Sequence, residues 1–476
     1  MVIELLILFF SLITILHYVQ KSKLPDGPFS LPLIGTVGVV GIGLAGPVAE
    51  KWQHYAKMYT VFLFSKVMIV INDYKLTKEL FAKEEFSGRQ NAFMFHWIKG
   101  YNGNKRGIIT TEGQEWSHQR RFALKELRDL GFGRKSLESV MIEEVDDVIS
   151  GLLKSKNGIA EMKGTFNTAI INVLWQIVAS KRFDPNASDT REMMDMLNRQ
   201  FTAGPNINNF FPHFLAKLMP YSDFDNSIFA MKKMMKGFID EHKKDIDYDQ
   251  PRDFIDVYLK QIKDDPNSFN EEHLVVNCVD FFQAGAETSA TTLLWAMMFI
   301  ALNPQVQDKC FEEIKDVLGE RCPSINDTSS MPYTMATLLE IQRMALVAES
   351  SIPHRLTKDT QVEGYKFKKG TIFVANLKKF LMDPDEFESP KLFKPERFIS
   401  ENGEVLKKEL FVPFGIGKRI CMGESLAKNE LFIFFVRLLQ RLEFTVTDPK
   451  PNPKQYTTGI TRIPKPFLVR VTDRHL

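Results

Sequence analysis

Residues 414–423, FGIGKRICMG, set one cysteine, Cys421, in a glycine-rich turn just ahead of a helical pattern, ESLAKNELFIFFVRLL. Gly417 and Gly423 let a backbone turn closely around a bulky object and leave amides free to donate to a sulfur. The N-terminal end of the following helix aims a positive dipole at the same atom, which lowers a thiol pKa and favours thiolate. A thiolate serves as a nucleophile or a metal ligand, and a buried cysteine also packs as a small hydrophobe. A nucleophile wants a general base, and no histidine stands near Cys421 in the sequence.

Other residues with chemistry lie in three further stretches. AGAETS, residues 284–289, sits inside a long apolar helical pattern. Gly285 is costly there unless something must approach the backbone closely. Thr288 can bond back to the Ala284 carbonyl, loosening the turn and opening a groove. EIQR sets Glu340 and Arg343 at i, i+3 on one helical face, where they can pair. WSHQRR sets Trp116 and Arg120 one turn apart, so that an indole N–H and a guanidinium can reach the same anion.

Phe414, Gly417, Arg419, Cys421 and Gly423 together read F-x-x-G-x-R-x-C-x-G, which resembles the haem-binding loop of the cytochrome P450 family. The resemblance implies haem b as cofactor, with the Cys421 thiolate as axial iron ligand and Phe414 beside it. It implies that Trp116, Arg120, Arg89 of FSGR, His354 of IPH and Arg419 hold the haem propionates. Glu287 and Thr288 match the acid and alcohol that deliver protons during oxygen activation. Glu340 and Arg343 match the family's E-x-x-R pair, with Arg397 of PERF as third member, holding the loop behind the thiolate in a fold role.

The likeness is closest to the drug- and lipid-metabolising microsomal group, through EFSGR, EIQR, IPH and GKRICMGE. It implies a monooxygenase that inserts one oxygen atom of O2 into a fatty acid, steroid or xenobiotic. By position, the substrate pocket is expected at Phe93, Phe95, Ile109, Thr110, Phe210 and Phe211. Phe282, Ala284, Ala348, Ile352 and Ile460 complete that expectation. Electrons would come from an NADPH-dependent reductase, with cytochrome b5 as a further partner, docking near Lys125, Arg128, Arg134, Lys135, Lys418 and Lys428. A haem-thiolate isomerase or dehydratase would use the same Cys421 without a reductase, but such enzymes tend to lose the pair kept here at Glu287 and Thr288. A non-enzymatic haem sensor would need no oxygen groove at all.

These residues must be positioned by a chain of 476 residues, 44% hydrophobic and 25% charged, with a net charge of only +2. That balance excludes a general attraction to nucleic acid. Four cysteines without paired spacing argue against a disulfide framework or structural zinc and for a reducing compartment. Residues 1–20 read as a membrane anchor, because VIELLILFFSLITILHYV nearly spans a bilayer at ~1.5 Å per residue. Lys21 and Lys23 follow it and predict a cytosolic catalytic domain on the endoplasmic reticulum membrane. Residues 21–46, rich in proline and glycine, read as a linker, and 47–476 as one haem-thiolate domain. Within it, helical patterns such as SLESVMIEEVDDVISGLL dominate, and VFLFSKVMIVI, GYKFKKGTIFVAN and FLVRV read as strands. The expected class is mainly α with small β-sheets: the cytochrome P450 fold behind a single N-terminal transmembrane helix.

Overall fold

The computed structural model describes residues 2–36, 52, 55–64, 66–202 and 213–474. Its first helix, Val2–Lys21, leaves Leu5, Leu6, Ile7, Leu8, Phe9 and Phe10 exposed. A continuous apolar surface of this kind does not persist in water. Only 6% of Glu4–Lys21 is buried, whereas 83% of the most apolar 18-residue stretch of the second long helix, Glu271–Leu302, is buried. The first therefore fits an anchor. The second meets the same criteria of length and composition, although the sequence pattern did not single it out, and burial makes it a core element.

Part of the proline- and glycine-rich stretch expected as a linker is paired. Ser30–Leu31 and Gly35–Thr36 form a small antiparallel hairpin that joins a seven-stranded sheet. Prolines lack an N–H but keep a carbonyl, and the Pro25 carbonyl accepts from the Thr60 hydroxyl at 2.7 Å. Residues 37–46 of the expected linker lie outside the described residues.

The remaining strands of that sheet run in the order Met58–Leu63, Lys66–Ile71, Ile372–Ala375, His354–Arg355 and Gly88–Arg89. β-Branched and aromatic residues, which favour strands, run through MYTVFL and KVMIVI, and most of both strands is buried. Register at the far edge sets Arg89 opposite His354, so two expected propionate contacts become neighbours through strand pairing. A three-stranded sheet of Leu442–Val446, Leu468–Asp473 and Ile159–Glu161 closes the C-terminal side.

The core is built on the 32-residue helix Glu271–Leu302, hereafter the central helix. Asn270 caps it by accepting from the His273 N–H, and Glu271 and Glu272 complement its first turn. It packs against Asn167–Ala179, Pro332–Ala345 and the cysteine-loop helix Glu424–Arg441. Such all-round apolarity suits a helix with neighbours on every side.

Glu340 and Arg343 on Pro332–Ala345 are both fully buried and joined by two hydrogen bonds, of 2.7 and 2.8 Å. Arg397 adds a third bond to Glu340 at 3.1 Å and donates to the Glu388 and Leu392 carbonyls. Arg343 also donates to the Leu381 carbonyl at 3.0 Å, so the triad ties the helix to the chain leading to the cysteine loop. Replacing Arg343 by Ala strands part of a buried carboxylate, and the expected loss is about 3–5 kcal/mol. Chemical denaturation of wild type and Arg343→Ala measures it; an unchanged midpoint would show the triad to be dispensable.

Candidate active site

The cysteine loop takes its shape from glycine. Gly415 and Gly417 have φ of +83° and +79°, and a Cβ on Gly417 would lie 2.3 Å from the Phe81 carbonyl oxygen. Only hydrogen fits at that contact. The Cys421 N–H donates to the Phe414 carbonyl at 3.0 Å, closing the loop just before Glu424–Arg441 begins.

Cys421 is accessible and yet closely surrounded by protein. Its thiol is pushed above the ordinary range, first by burial and also by Glu424, against the opposing pulls of the Gly423 amide and Arg120. The expected lowering by the helix end is thus outweighed. A bound cation would compensate the thiolate and release its proton.

Beside this loop lies the cationic set. Trp116 is buried, and its indole N–H has no partner among the described residues. The Arg419 guanidinium lies over the Trp116 ring at 3.8 Å, and that of Arg120 at 6.0 Å. Arg120 also donates to the Ile420 carbonyl at 2.7 Å, next to the cysteine. Burial and the neighbouring Arg120 pull Arg89 down to about 9, while burial, Arg89 and Arg120 pull Arg419 down to about 8. Glu112 offsets part of this charge but is engaged by Arg355, Lys105 and the Arg89 N–H. An unpartnered buried donor among crowded guanidinium groups fits a ligand carrying carboxylates.

Two members of the set differ from the simple expectation. Arg419 spends donors on the Ser87, Ile108 and Thr111 carbonyls, at 2.9, 3.2 and 2.6 Å. It therefore also bolts the cysteine loop to the segment before Trp116. The His354 ring stacks on Phe81 at 3.8 Å, and its Nδ1 lies 2.7 Å from the Phe86 carbonyl. A carbonyl only accepts, so Nδ1 carries the proton and Nε2 the lone pair of the neutral ring. Burial, followed by Arg89, holds His354 well below its usual pKa.

On the central helix, Ala284 is the one exposed residue, flanked by half-buried Gln283, Gly285 and Thr288. Thr288 donates to the Ala284 carbonyl at 2.8 Å, while the segment stays helical throughout. Gly285 has a different reason from the one expected: a Cβ there would lie 2.5 Å from Leu174 Cδ2. A larger residue there would have to displace the end of the Leu174 side chain. Glu287 is buried and accepts from Asn167 at 2.9 Å and Thr291 at 3.0 Å. Burial pushes it up to about 7, against both hydrogen bonds. Glu287 and Thr288 thus bond to separate partners.

The expected pocket residues divide. Ala284, Ile352 and Ile460 are exposed, Phe95, Ile109 and Ala348 half-buried, and Phe93 packs in a small apolar cluster with Ile98 and Ile228. Thr110 is buried and bonded to the Arg106 carbonyl. Phe282 is a core residue, packed edge-on against Trp175 at 5.0 Å, because it lies on the opposite side of the helix from Ala284. Phe210 and Phe211 lie outside the described residues. Sequence reasoning missed Glu430, fully buried on the cysteine-loop helix, which accepts from Ser289 beside Thr288 at 2.9 Å. An acid in the apolar pattern of that helix was the available signal.

A thiol just before a helix start, beside a buried unpartnered indole N–H and crowded guanidinium groups, offers what a thiolate-ligated haem with two carboxylates would need. A family model, Cytochrome P450, matches residues 25–471. Over 474 residues the chain is 34% identical to cytochrome P450 2J3 of Rattus norvegicus, covering 96% of this chain and 92% of that one. It is 32% identical to cytochrome P450 2U1 of Homo sapiens, with coverages of 96% and 90%. To cytochrome P450 2J1 of Oryctolagus cuniculus it is 33% identical, with coverages of 94% and 90%. The chain belongs to the cytochrome P450 family of monooxygenases, which bind haem b through a cysteine thiolate.

The buried acids carry a pH consequence. Burial pushes Glu430 up to about 8, so the folded protein holds a proton that the unfolded chain releases near the ordinary carboxyl pKa. Stability from this group is complete at low pH and is lost as pH rises through that window. The melting temperature should fall from about pH 5 to about pH 9 less steeply in Glu430→Gln than in wild type. Parallel slopes would show that Glu430 does not titrate in the fold.

Proposed function

We propose that this monooxygenase oxidises an apolar small molecule, of the fatty acid, steroid or xenobiotic kind, using electrons from an NADPH-dependent reductase. It works at the endoplasmic reticulum membrane, with the catalytic domain on the cytosolic side. The observation that carries this reading is the pairing of the accessible Cys421 thiol and its anion-binding set with the Ala284–Thr288 strip.

Bound haem b supplies the iron that activates dioxygen and inserts one atom into the substrate. Cys421 ligates it as thiolate, while Trp116, Arg120 and Arg89, with the remaining donors of Arg419, hold its carboxylates. Their pre-placed charge orients the ring without reorganisation. His354 closes the same wall as a neutral ring. Thr288 presents a hydroxyl on the accessible face of the central helix. Glu287, raised to about 7 by burial, holds or releases a proton near neutrality one residue from Thr288. Loading the site therefore converts a cluster of mutually repelling cations into a neutralised one.

Lys21 and Lys23, just after the anchor, support the cytosolic side. For the reductase, Arg128 and Lys135 offer charge, whereas Lys125, Arg134, Lys418 and Lys428 already face Glu126, Asp129, Glu84 and Glu424. The intact Glu287 and Thr288 weigh against an isomerase or dehydratase, which needs no proton delivery to oxygen.

The decisive spectrum is that of the reduced protein with carbon monoxide. Wild type should give the strongly red-shifted band of thiolate ligation and Cys421→Ser should lose it; an ordinary band in well-folded wild type would remove Cys421 as ligand. Thr288→Ala should keep that band and substrate binding, lose about tenfold or more in product, and divert electrons to hydrogen peroxide. Undiminished coupling of electron use to product would take proton delivery away from Thr288. Protease protection of the domain in intact microsomes would contradict the cytosolic side; complete digestion is expected.

A further inference from the structure

A directed chain of hydrogen bonds runs from Lys99 past Gln283, the neighbour of Ala284 on the central helix, to the helix Asp223–Asp245. It begins at Lys99, which is buried and paired with the Asp280 carboxylate at 2.5 Å. Asp280 also accepts the Ile108 and Ile109 N–H groups, at 2.7 and 2.8 Å, so it is fully engaged. Lys99 donates next to Gln283 at 2.8 Å. An ammonium only donates, so the Gln283 atom facing Lys99 is its oxygen and the amide nitrogen points the other way.

That nitrogen donates to Gln200 at 2.6 Å, and Gln200 passes its own hydrogens to Ser227 at 2.7 Å and Met231 sulfur at 3.4 Å. Ser227 ends the chain on the Phe224 carbonyl. Every donor and acceptor direction is thereby set by the charge at Lys99. The amide nitrogen of Gln283 carries a second hydrogen beyond the one it gives to Gln200. Gln283 is half-buried next to Ala284, the exposed residue of the central helix. Nearby, the exposed Ile460 donates its N–H to the Phe201 carbonyl, beside Gln200, at 3.1 Å.

Resting on the monooxygenase reading above, we propose that Gln283 is the specificity-determining polar contact of the substrate site. Its second N–H receives an oxygen acceptor, a carboxylate or hydroxyl, at one end of an otherwise apolar substrate. An amide held rigidly by a buried ion pair loses little freedom on binding, which makes one hydrogen bond discriminating. Gln283 and Thr288 are five residues apart, ~7.5 Å along the helix axis. The oxidised carbon is therefore remote from the anchored oxygen rather than adjacent to it.

The test titrates decanoic acid, 1-decanol and decane into the haem-loaded full-length protein and reads the displacement of the Soret band, for wild type, Gln283→Leu and Gln283→Glu. Wild type should prefer the oxygenated ligands. Gln283→Leu should weaken 1-decanol and decanoic acid about fivefold or more, the loss of one hydrogen bond, and leave decane unchanged. Gln283→Glu keeps an acceptor for Lys99 and removes the donor, so it should repeat the loss for 1-decanol even where the leucine variant folds poorly. A loss confined to decanoic acid supports the site and narrows its ligand to carboxylates. Equal changes for all three ligands, no change, or no preference in wild type would overturn the assignment. The carbon monoxide band of wild type, measured alongside, separates that failure from failure of the haem-thiolate reading itself.

Discussion

Positive charge gathered in a protein interior is the constraint around which the site is arranged. Burial lowers the pKa values of Arg89, Arg120 and Arg419, Arg120 adds to the lowering at Arg89, and Arg89 and Arg120 add to it at Arg419; the engaged carboxylate of Glu112 only partly offsets this. Each arrives from a different part of the chain: a sheet edge, the Trp116 helix and the cysteine loop. Like charges come together only where strong local bonds hold them. Here those bonds are the strand pairing of Arg89 with His354 and the three backbone carbonyls gripped by Arg419.

The central helix serves several neighbours at once and shows how their demands are separated by angle. Its Ala284 face is accessible, its Gly285 face is pressed on Leu174, and its Glu287 face bonds to Asn167. Ser289, one step further round, reaches the buried acid on the cysteine-loop helix. One residue of rotation, about 100°, is enough to change the partner completely. The polar centre of this helix is therefore four separate contacts rather than one groove.

Much of this was legible before the fold. The cysteine loop, the Glu340–Arg343 pair and Trp116 with Arg120 depend on short spacings, and short spacings become geometry directly. The strands within residues 58–71 and 365–375 followed from short runs of β-branched and aromatic residues, although their pairing partners did not. The misses share a cause: they involve partners distant in sequence. Nothing near Gly285 reveals Leu174, and nothing near Gln283 reveals Lys99 or Gln200. The helix dipole argued for a low Cys421 pKa, but burial, a property of the whole fold, decided it. The proline-rich stretch after the anchor misled because composition does not show a sheet edge waiting to be paired.

That stretch has a mechanical side. His17, near the end of the anchor helix, packs against Phe62 of the sheet at 4.7 Å and lies 3.0 Å from the Ser30 hydroxyl. The hairpin then stitches the chain to the sheet edge within a few residues. The first helix is thus not joined to the sheet by an unpaired segment: His17, Ser30 and the hairpin fix the angle at which it leaves the sheet, so any surface that holds the helix also sets the attitude of the sheet.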